Sequence, residues 1–155
     1  MNAGNGTGMV GAASRTPANR VVALTGLLAA AVGAGLLYAY GAIVIAVHGP
    51  LSAGDPGESH ADPISAGLFP LGVVLCTAFG TVLAAYCARR AKRPVRSFVR
   101  CAIGLTLLSF ALPLSATHTT TATRLLLAGG HVLAAAIVIP VLAQGVRRAA
   151  VENGN

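Results

Sequence analysis

Four long apolar runs dominate this chain, and short polar segments separate them. Each run has about the ~20 residues that a helix needs to cross the hydrocarbon core of a bilayer. Composition agrees, because 55% of the residues are hydrophobic and only 10% are charged, whereas soluble domains carry about 25% charged residues. The sequence therefore predicts an all-α integral membrane protein rather than a water-soluble domain.

The predicted organisation is one membrane domain between two polar ends. We expect a flexible polar leader over residues 1–20, a membrane domain over 21–146 and a short basic and polar tail over 147–155. Short connections make consecutive spans antiparallel, so the expected fold is a four-helix bundle with up-down-up-down topology. The four spans are predicted at about residues 21–47, 66–87, 97–116 and 123–144.

The first apolar run has a second interpretation, because basic residues also precede the apolar region of a secretory signal peptide. Arg15 and Arg20 lie just before the run. Residues 21–47, however, form a far longer apolar stretch than the ~7–15 residues of a signal peptide. We therefore expect this run to be retained as a membrane span.

Positive charge is confined to one side of the predicted bundle. The chain has eleven Lys and Arg residues, and all except Arg124 lie in the leader, in the tail, or in and beside the connection between the second and third spans. The connection from His48 to Ser65 has no Lys or Arg. Because cytoplasmic segments of membrane proteins are enriched in these residues, we predict a multi-pass protein of the cell membrane with both termini in the cytoplasm.

The basic connection between the second and third spans is predicted to attract anionic lipid headgroups, to which each positive charge contributes about 1 kcal/mol. Two other interpretations are that the charges only set the topology, or that they bind the acidic tail of a partner. Nucleic-acid binding is not expected, because no aromatic residue that would stack on bases lies among them. The residues concerned are Arg89, Arg90, Lys92, Arg93 and Arg96.

Small residues recur every four positions along the second span, and they predict close packing of helix backbones. The first span has a similar series. Contact between these two consecutive spans is one interpretation, and a homo-oligomer or a membrane protein partner is the other. The residues of the second span are Gly72, Cys76, Gly80 and Ala84.

His131 is the one ionisable residue well inside a predicted span. It follows Arg124 by seven residues, which places both on one helix face about two turns apart. One hypothesis is a neutral imidazole with a structural hydrogen bond, and the other is a site for a small ligand or a proton that also uses Arg124 and His118. Haem is not expected, because axial ligation commonly uses a second histidine at a matching depth.

Glu58, His60 and Asp62 alternate along the first outward connection. In an extended segment all three side chains lie on one side, and their ligand types suit a divalent metal ion. The alternative is a solvated acidic loop, since the segment is rich in Gly and Pro.

Two local signals concern the fourth span. Pro140 is predicted to bend the fourth span by leaving the carbonyl of Ala136 without its N–H partner. A group of threonines is predicted to cap the start of that span: Thr117, Thr119, Thr120 and Thr121.

The residues Leu125 to Val132 and Ile137 to Pro140 carry a resemblance to a known group of proteins. With the four-span layout and the basic inner connection, the chain resembles an uncharacterised family of small four-span actinobacterial integral membrane proteins. In that family a histidine of the fourth span precedes a proline by about nine residues, and His131 and Pro140 match these positions. The resemblance covers the spans and implies no activity.

The sequence contains no nucleophile–base pair, phosphate-binding loop, cysteine metal cage or cofactor fingerprint, so no cofactor is expected. Its three cysteines, Cys76, Cys87 and Cys101, all lie in or beside predicted spans, which argues against a structural disulfide. We therefore predict a non-enzymatic structural or accessory bundle. The alternative is a unit that binds or transports a small ligand, a metal or a proton near His131 and the outward connections.

Overall fold

The computed structural model describes residues 17–53, 60–115 and 119–152, and in these residues the chain is almost entirely helical. The all-α fold class is confirmed. Arg15, Asp55, Glu58 and His118 lie outside the described residues. The elements are α1 Pro17–His48, β1 Leu51–Ala53, β2 Asp62–Ile64, α2 Leu68–Arg90, α3 Pro94–Ser109, α4 Ala111–Ser115 and α5 Thr121–Glu152.

Within the described part of the chain, three helices are long and apolar enough to cross a membrane. They correspond to the first, second and fourth predicted spans, and they are Asn19–His48, Leu68–Arg90 and Thr121–Glu152. The α1 helix begins at Pro17, where the missing N–H of proline has no cost because the first turn has no acceptor for it. It ends before Gly49, whose φ of 83° favours glycine and whose N–H bonds to the carbonyl of Ile45 at 2.9 Å.

The predicted third span is divided between α3 and α4, which are separated by Phe110. Pro113 explains the division, because it has no N–H to donate to the carbonyl of Ser109 four residues earlier. The N–H of Phe110 bonds to Leu107 at 3.3 Å, and the N–H of Leu114 bonds back to Phe110 at 3.1 Å. The chain therefore continues in the same general direction, but α3 has only 16 residues.

The α5 helix is the centre of the bundle, because α1, α2, α3 and α4 all pack against it. The α2 helix also contacts α1 and α3. This arrangement places α1 and α3 on opposite sides of the α2–α5 pair. The core residues come from all four long helices and include Val22, Leu37, Val73, Phe98 and Leu142.

The α1 and α2 helices approach closely at two glycines of α1. A Cβ atom at Gly26 would overlap the side chain of Thr81, and one at Gly41 would lie 2.5 Å from Phe69. Gly26 comes before Gly41 in α1, but its partner Thr81 comes after Phe69 in α2. The two helices are therefore antiparallel.

The α1 and α5 helices are also antiparallel. Near one end of the bundle, a Cβ atom at Gly145 would lie 3.0 Å from Thr25. Near the other end, the hydroxyl of Tyr40 donates a 2.7 Å hydrogen bond to the carbonyl of Leu126. The start of α1 therefore lies beside the end of α5.

These directions bring the basic residues to one end of the bundle, which we call the basic end. It contains the start of α1, the end of α2, the start of α3 and the end of α5. The Nε of Arg89 donates to the Oδ1 of Asn19 at 2.9 Å and links α2 to α1 there. The basic residues of this end are Arg20, Arg89, Arg90, Lys92, Arg93, Arg96, Arg100, Arg147 and Arg148.

At the opposite end, β1 and β2 form an antiparallel hairpin that the sequence did not predict. Leu51 pairs with Ile64, and Ala53 pairs with Asp62. Leu51 is buried, and β1 contacts α5. The hairpin therefore brings part of the first outward connection onto the end of the bundle.

The start of α5 is capped as predicted, and Thr120 has that role. Its Oγ1 accepts a 3.1 Å hydrogen bond from the N–H of Thr123, which satisfies one of the unpaired donors of the first turn. Farther along, α5 continues through Pro140 as a single helix to Glu152.

Candidate functional site

Two apolar cavities lie beside His131, the first toward the hairpin and the second extending toward the basic end. The hairpin-side cavity has a volume of about 170 Å³ and lies between α1, α2, α5 and β2. The α3-side cavity has a volume of about 280 Å³ and lies between α2, α3 and α5. The residues that line both are Val73, Cys76, His131 and Ala134.

The wall of the hairpin-side cavity is made by side chains from every element around it. Leu37 comes from α1, Ile64 from β2, Phe69 from α2 and Leu127 from α5. Gly72 also lines this cavity, and a Cβ atom there would meet no atom within 4 Å. The cavity exists at this position partly because residue 72 has no side chain to fill it.

The α3-side cavity is apolar apart from two hydroxyls of α3 and the side chains of Cys76 and His131, which also line the hairpin-side cavity. Thr106 donates to the carbonyl of Ala102 at 2.9 Å, and Ser109 donates to the carbonyl of Thr106 at 2.7 Å. Both hydroxyl protons are therefore used by the helix itself. Phe98 and Leu142, both fully buried, line the cavity toward the basic end.

The hydrogen bond of His131 fixes its tautomer. Its Nδ1 lies 3.0 Å from the carbonyl oxygen of Leu127, one turn earlier in α5. A carbonyl oxygen only accepts, so Nδ1 carries the proton, and in the neutral imidazole Nε2 then has a free lone pair. The ring centroid of Phe110 lies 6.0 Å from that of His131, with 38° between the planes.

The second predicted ligand residue, Arg124, lies in the first turns of α5 and is half-buried. It lines neither of the two cavities beside His131. His118, the third residue of the predicted set, lies outside the described residues. A site shared by these three residues stays a prediction.

The predicted metal ligands belong to the hairpin region. His60 and Asp62 are exposed, and Glu58 is not among the described residues. In residues 17–53, 60–115 and 119–152, no three His, Cys, Asp or Glu side chains are grouped so as to hold a metal ion. The set of Glu58, His60 and Asp62 stays a prediction.

The small-residue series of α2 divides into two parts. Ala84 is completely buried, and a Cβ atom at Gly80 would lie 3.0 Å from Leu142 of α5. Gly72 and Cys76, in contrast, are exposed and open onto the cavities. Ala84 and Gly80 thus lie at helix contacts, Gly72 and Cys76 lie at the candidate site, and Gly80 also lines the α3-side cavity.

The predicted headgroup residues are all on the surface of the basic end. The side chains of Arg89, Arg90, Lys92, Arg93 and Arg96 are exposed. Arg89 and Arg90 are the last residues of α2. Lys92 and Arg93 lie in the short turn after it, and Arg96 lies in the first turn of α3. Their positive charges therefore face outward from the end of the bundle.

Sequence reasoning found His131 but missed the residues that form its surroundings. Phe69 and Tyr40 meet edge to face, with ring centroids 5.9 Å apart and 72° between the planes, and Phe69 lines the hairpin-side cavity. These residues come from different helices and are 29 positions apart. No spacing within one helix signals that they meet.

Comparison with known proteins gives a family and no activity. Residues 15–148 match the model of DUF6069, a family of unknown function. Neither curated proteins nor solved structures provide a match to the chain. The family match covers α1 to α4, all of α5 except its last four residues, and every residue that lines the two cavities. The chain therefore belongs to DUF6069, a family of unknown function.

Proposed function

We propose that this chain is a multi-pass protein of the cell membrane that acts as a non-enzymatic accessory bundle, with both termini in the cytoplasm. The observation that carries the proposal is the contrast between the basic end and the apolar sides of the bundle. Large apolar side chains point outward along the helices, including Leu27 at 68%, Phe79 at 75% and Leu108 at 69% exposure. Such a surface is stable in lipid.

In this proposal α3 and α4 together form the third of four spans, between the spans of α2 and α5. Residues 94–115 extend for about 33 Å at the helical rise of ~1.5 Å per residue. Their apolar part after Arg100, residues 101–115, extends for about 23 Å, and a bilayer with a hydrocarbon core of ~30 Å thins locally to match a shorter span. The four spans then alternate in direction and return the tail to the side of the leader. The actinobacterial origin implied by the resemblance also stays a prediction.

The state of the polar side chains within the helices supports a non-enzymatic role. Thr25, Thr81 and Thr106 each donate a hydroxyl proton to the carbonyl four residues earlier. His131 has the same kind of bond to Leu127. The three hydroxyl protons and Nδ1 of His131 are therefore bonded within their own helices rather than to groups of another helix.

Two partners follow from this proposal. The exposed basic end attracts the anionic headgroups of the inner leaflet, and the apolar sides are available to another membrane protein or to a second copy of the chain. No role for nucleic acid is proposed.

Co-purification from native membranes tests the accessory role. The chain carries an affinity tag after residue 155 and is extracted in lipid-preserving polymer, with untagged membranes as the control. We expect a membrane protein to co-purify in a fixed molar ratio, and its abundance to fall when the gene of this chain is deleted. Recovery of the chain as a monomer with lipid alone, together with unchanged levels of other membrane proteins on deletion, would contradict the proposal.

A second candidate function is the binding of a small ligand beside His131. The observation that favours it is the pair of cavities that share this residue with Val73, Cys76 and Ala134. Membrane bundles commonly place binding sites between helices, with few polar groups in an apolar wall.

A further inference from the structure

We propose that the two cavities form one site for an apolar molecule that bears an aromatic hydroxyl, such as an alkylated phenol or hydroquinone. Its ring occupies the hairpin-side cavity, its hydroxyl donates to Nε2 of His131, and its alkyl chain extends into the α3-side cavity. This inference rests on the second candidate function. It names a ligand class and a position within the bundle rather than a site in the outward connections.

The volumes of the cavities fit the two parts of such a ligand. The hairpin-side cavity of about 170 Å³ is close to the ~150 Å³ of an engineered apolar cavity that binds benzene. It therefore holds one aromatic ring. The α3-side cavity of about 280 Å³ is larger and bounded mainly by apolar side chains, which suits a chain of methylene groups.

The hydroxyl is required by the tautomer of His131. Since Nδ1 donates to Leu127, the neutral ring offers only a lone pair at Nε2, and a ligand must donate a proton to use it. A carbonyl or ether oxygen could only accept a proton from Nε2, and a neutral ring with its proton on Nε2 would turn the Nδ1 lone pair toward the carbonyl of Leu127 and lose that hydrogen bond. The site therefore prefers a hydroxyl to a carbonyl group.

The aromatic character follows from the walls. Phe69 lines the hairpin-side cavity, and Phe110 lies beside His131. Aromatic rings gain additional stability from edge-to-face or offset contacts with each other at centroid distances of ~4.5–7 Å. A flat ring between Phe69 and the imidazole makes such contacts, whereas an aliphatic chain does not.

The ligand enters from the bilayer, because the α2 side of the two cavities is open at the surface of the bundle. Gly72 and Cys76 line the hairpin-side cavity and are exposed on α2. Phe79, which lines the α3-side cavity, is 75% exposed. An apolar ligand dissolved in lipid reaches both cavities without crossing water.

The test measures binding of two probes to the full chain in lipid nanodiscs. The probes are 4-butylphenol and butylbenzene, which differ only in the hydroxyl, and their dissociation constants are compared at equal concentrations in the lipid. We expect 4-butylphenol to bind about tenfold more tightly, the effect of one hydrogen bond in an apolar site. The ¹⁵N resonance of His131 Nε2 should report a lone pair before addition and shift on addition of the phenol.

Two variants and a matched control assign the effect. His131→Phe removes the acceptor and keeps a ring, so both probes should bind equally. Gly72→Leu fills the hairpin-side cavity and should abolish binding of both probes. Gly35→Leu is the control, because Gly35 is exposed on α1, a Cβ atom there meets no atom within 4 Å, and it lines neither cavity.

The outcomes separate the ligand class from the site. Equal binding of both probes to the wild-type chain, with loss in Gly72→Leu, would keep the cavity as a binding site and overturn the aromatic hydroxyl. Tighter binding of decan-1-ol than of 4-butylphenol would also overturn the ring. Binding that Gly72→Leu and Gly35→Leu change equally would overturn the site itself.

Discussion

Tyr40 joins three helices through a single side chain. Its hydroxyl donates to the carbonyl of Leu126 on α5 at 2.7 Å, and its ring meets the edge of Phe69 on α2. A Cβ atom at Gly129 would lie 2.8 Å from the hydroxyl oxygen, so the hydroxyl reaches α5 where that helix has no side chain. The contact determines how closely α1 and α5 approach at the end opposite the basic end.

Tyr40→Phe should lower the stability of the bundle by about 1 kcal/mol, the typical contribution of one hydrogen bond. The ring and its contact with Phe69 remain, so the change isolates the hydroxyl. Reversible unfolding in mixed micelles measures the free energy. Tyr38→Phe is the matched control, since Tyr38 lies on the same helix and is 56% exposed. Equal losses in both variants would show that the bond to Leu126 is not stabilising.

His131→Gln should keep expression and the thermal midpoint close to wild type. The amide N–H of glutamine can donate to the carbonyl of Leu127 in place of Nδ1, and the side chain has a similar size. A thermal aggregation curve of the purified protein gives the midpoint. A large fall in midpoint would mean that the imidazole ring itself, through its contact with Phe110, supports the fold.

The sequence was sufficient to single out His131 but not its cavities. An ionisable residue in a long apolar run is conspicuous whatever the fold, because its burial has a cost. The hairpin-side cavity depends on where Leu37 of α1, Phe69 of α2 and Leu127 of α5 come together, and these belong to three different helices. Only the relative positions of the helices determine such a meeting.

At the scale of elements, Gly26→Ala should loosen the contact between α1 and α2. The new methyl group would overlap Thr81, whose hydroxyl is already bound to the carbonyl of Thr77. Overpacking of this kind costs about 1–3 kcal/mol. Gly35→Ala is the control on the same helix, because its Cβ atom would meet nothing. Unfolding free energies in micelles compare them, and equal values would exclude Gly26 as a contact.

Pro113→Ala should join α3 and α4 into one helix. The substitution restores an N–H that can bond to the carbonyl of Ser109, and alanine has the highest helix propensity. Amide hydrogen exchange in nanodiscs should show slower exchange over residues 107–114 in the variant than in wild type. Unchanged exchange would mean that the division at Phe110 has another cause.

Long helices could be predicted from the sequence, and the smaller elements could not. The apolar runs gave the three span-length helices because a bilayer leaves an exposed backbone few alternatives to a helix. The hairpin pairs Leu51 with Ile64, and its strands are too short for a period of two to be recognised. The division of the third predicted span between α3 and α4 at Phe110 is visible only in the structure.

For the whole molecule, the basic end predicts the orientation in the membrane. In a chain whose three native cysteines are replaced by alanine, Ser52→Cys in the hairpin should react with an impermeant maleimide added outside the cell. Lys92→Cys at the basic end should react only after the membrane is opened, because positive charge favours the cytoplasm. Labelling of position 92 in intact cells, with none at position 52, would invert the orientation.

The shortness of α3 has a consequence for the lipid around the protein. After Arg100, the apolar part of α3 and α4 covers residues 101–115, or about 23 Å at ~1.5 Å per residue, while the apolar run of α1 on the opposite side reaches about 40 Å over residues 21–47. A bilayer adjusts its thickness to each side at a cost of a fraction of a kcal/mol per Å. In the proposed four-span arrangement, the membrane around the protein is therefore thin at the α3 flank and thick at the α1 flank. Neighbouring proteins with a short span lower this elastic cost when they gather at the α3 flank, which gives lateral association a preferred direction without any specific contact.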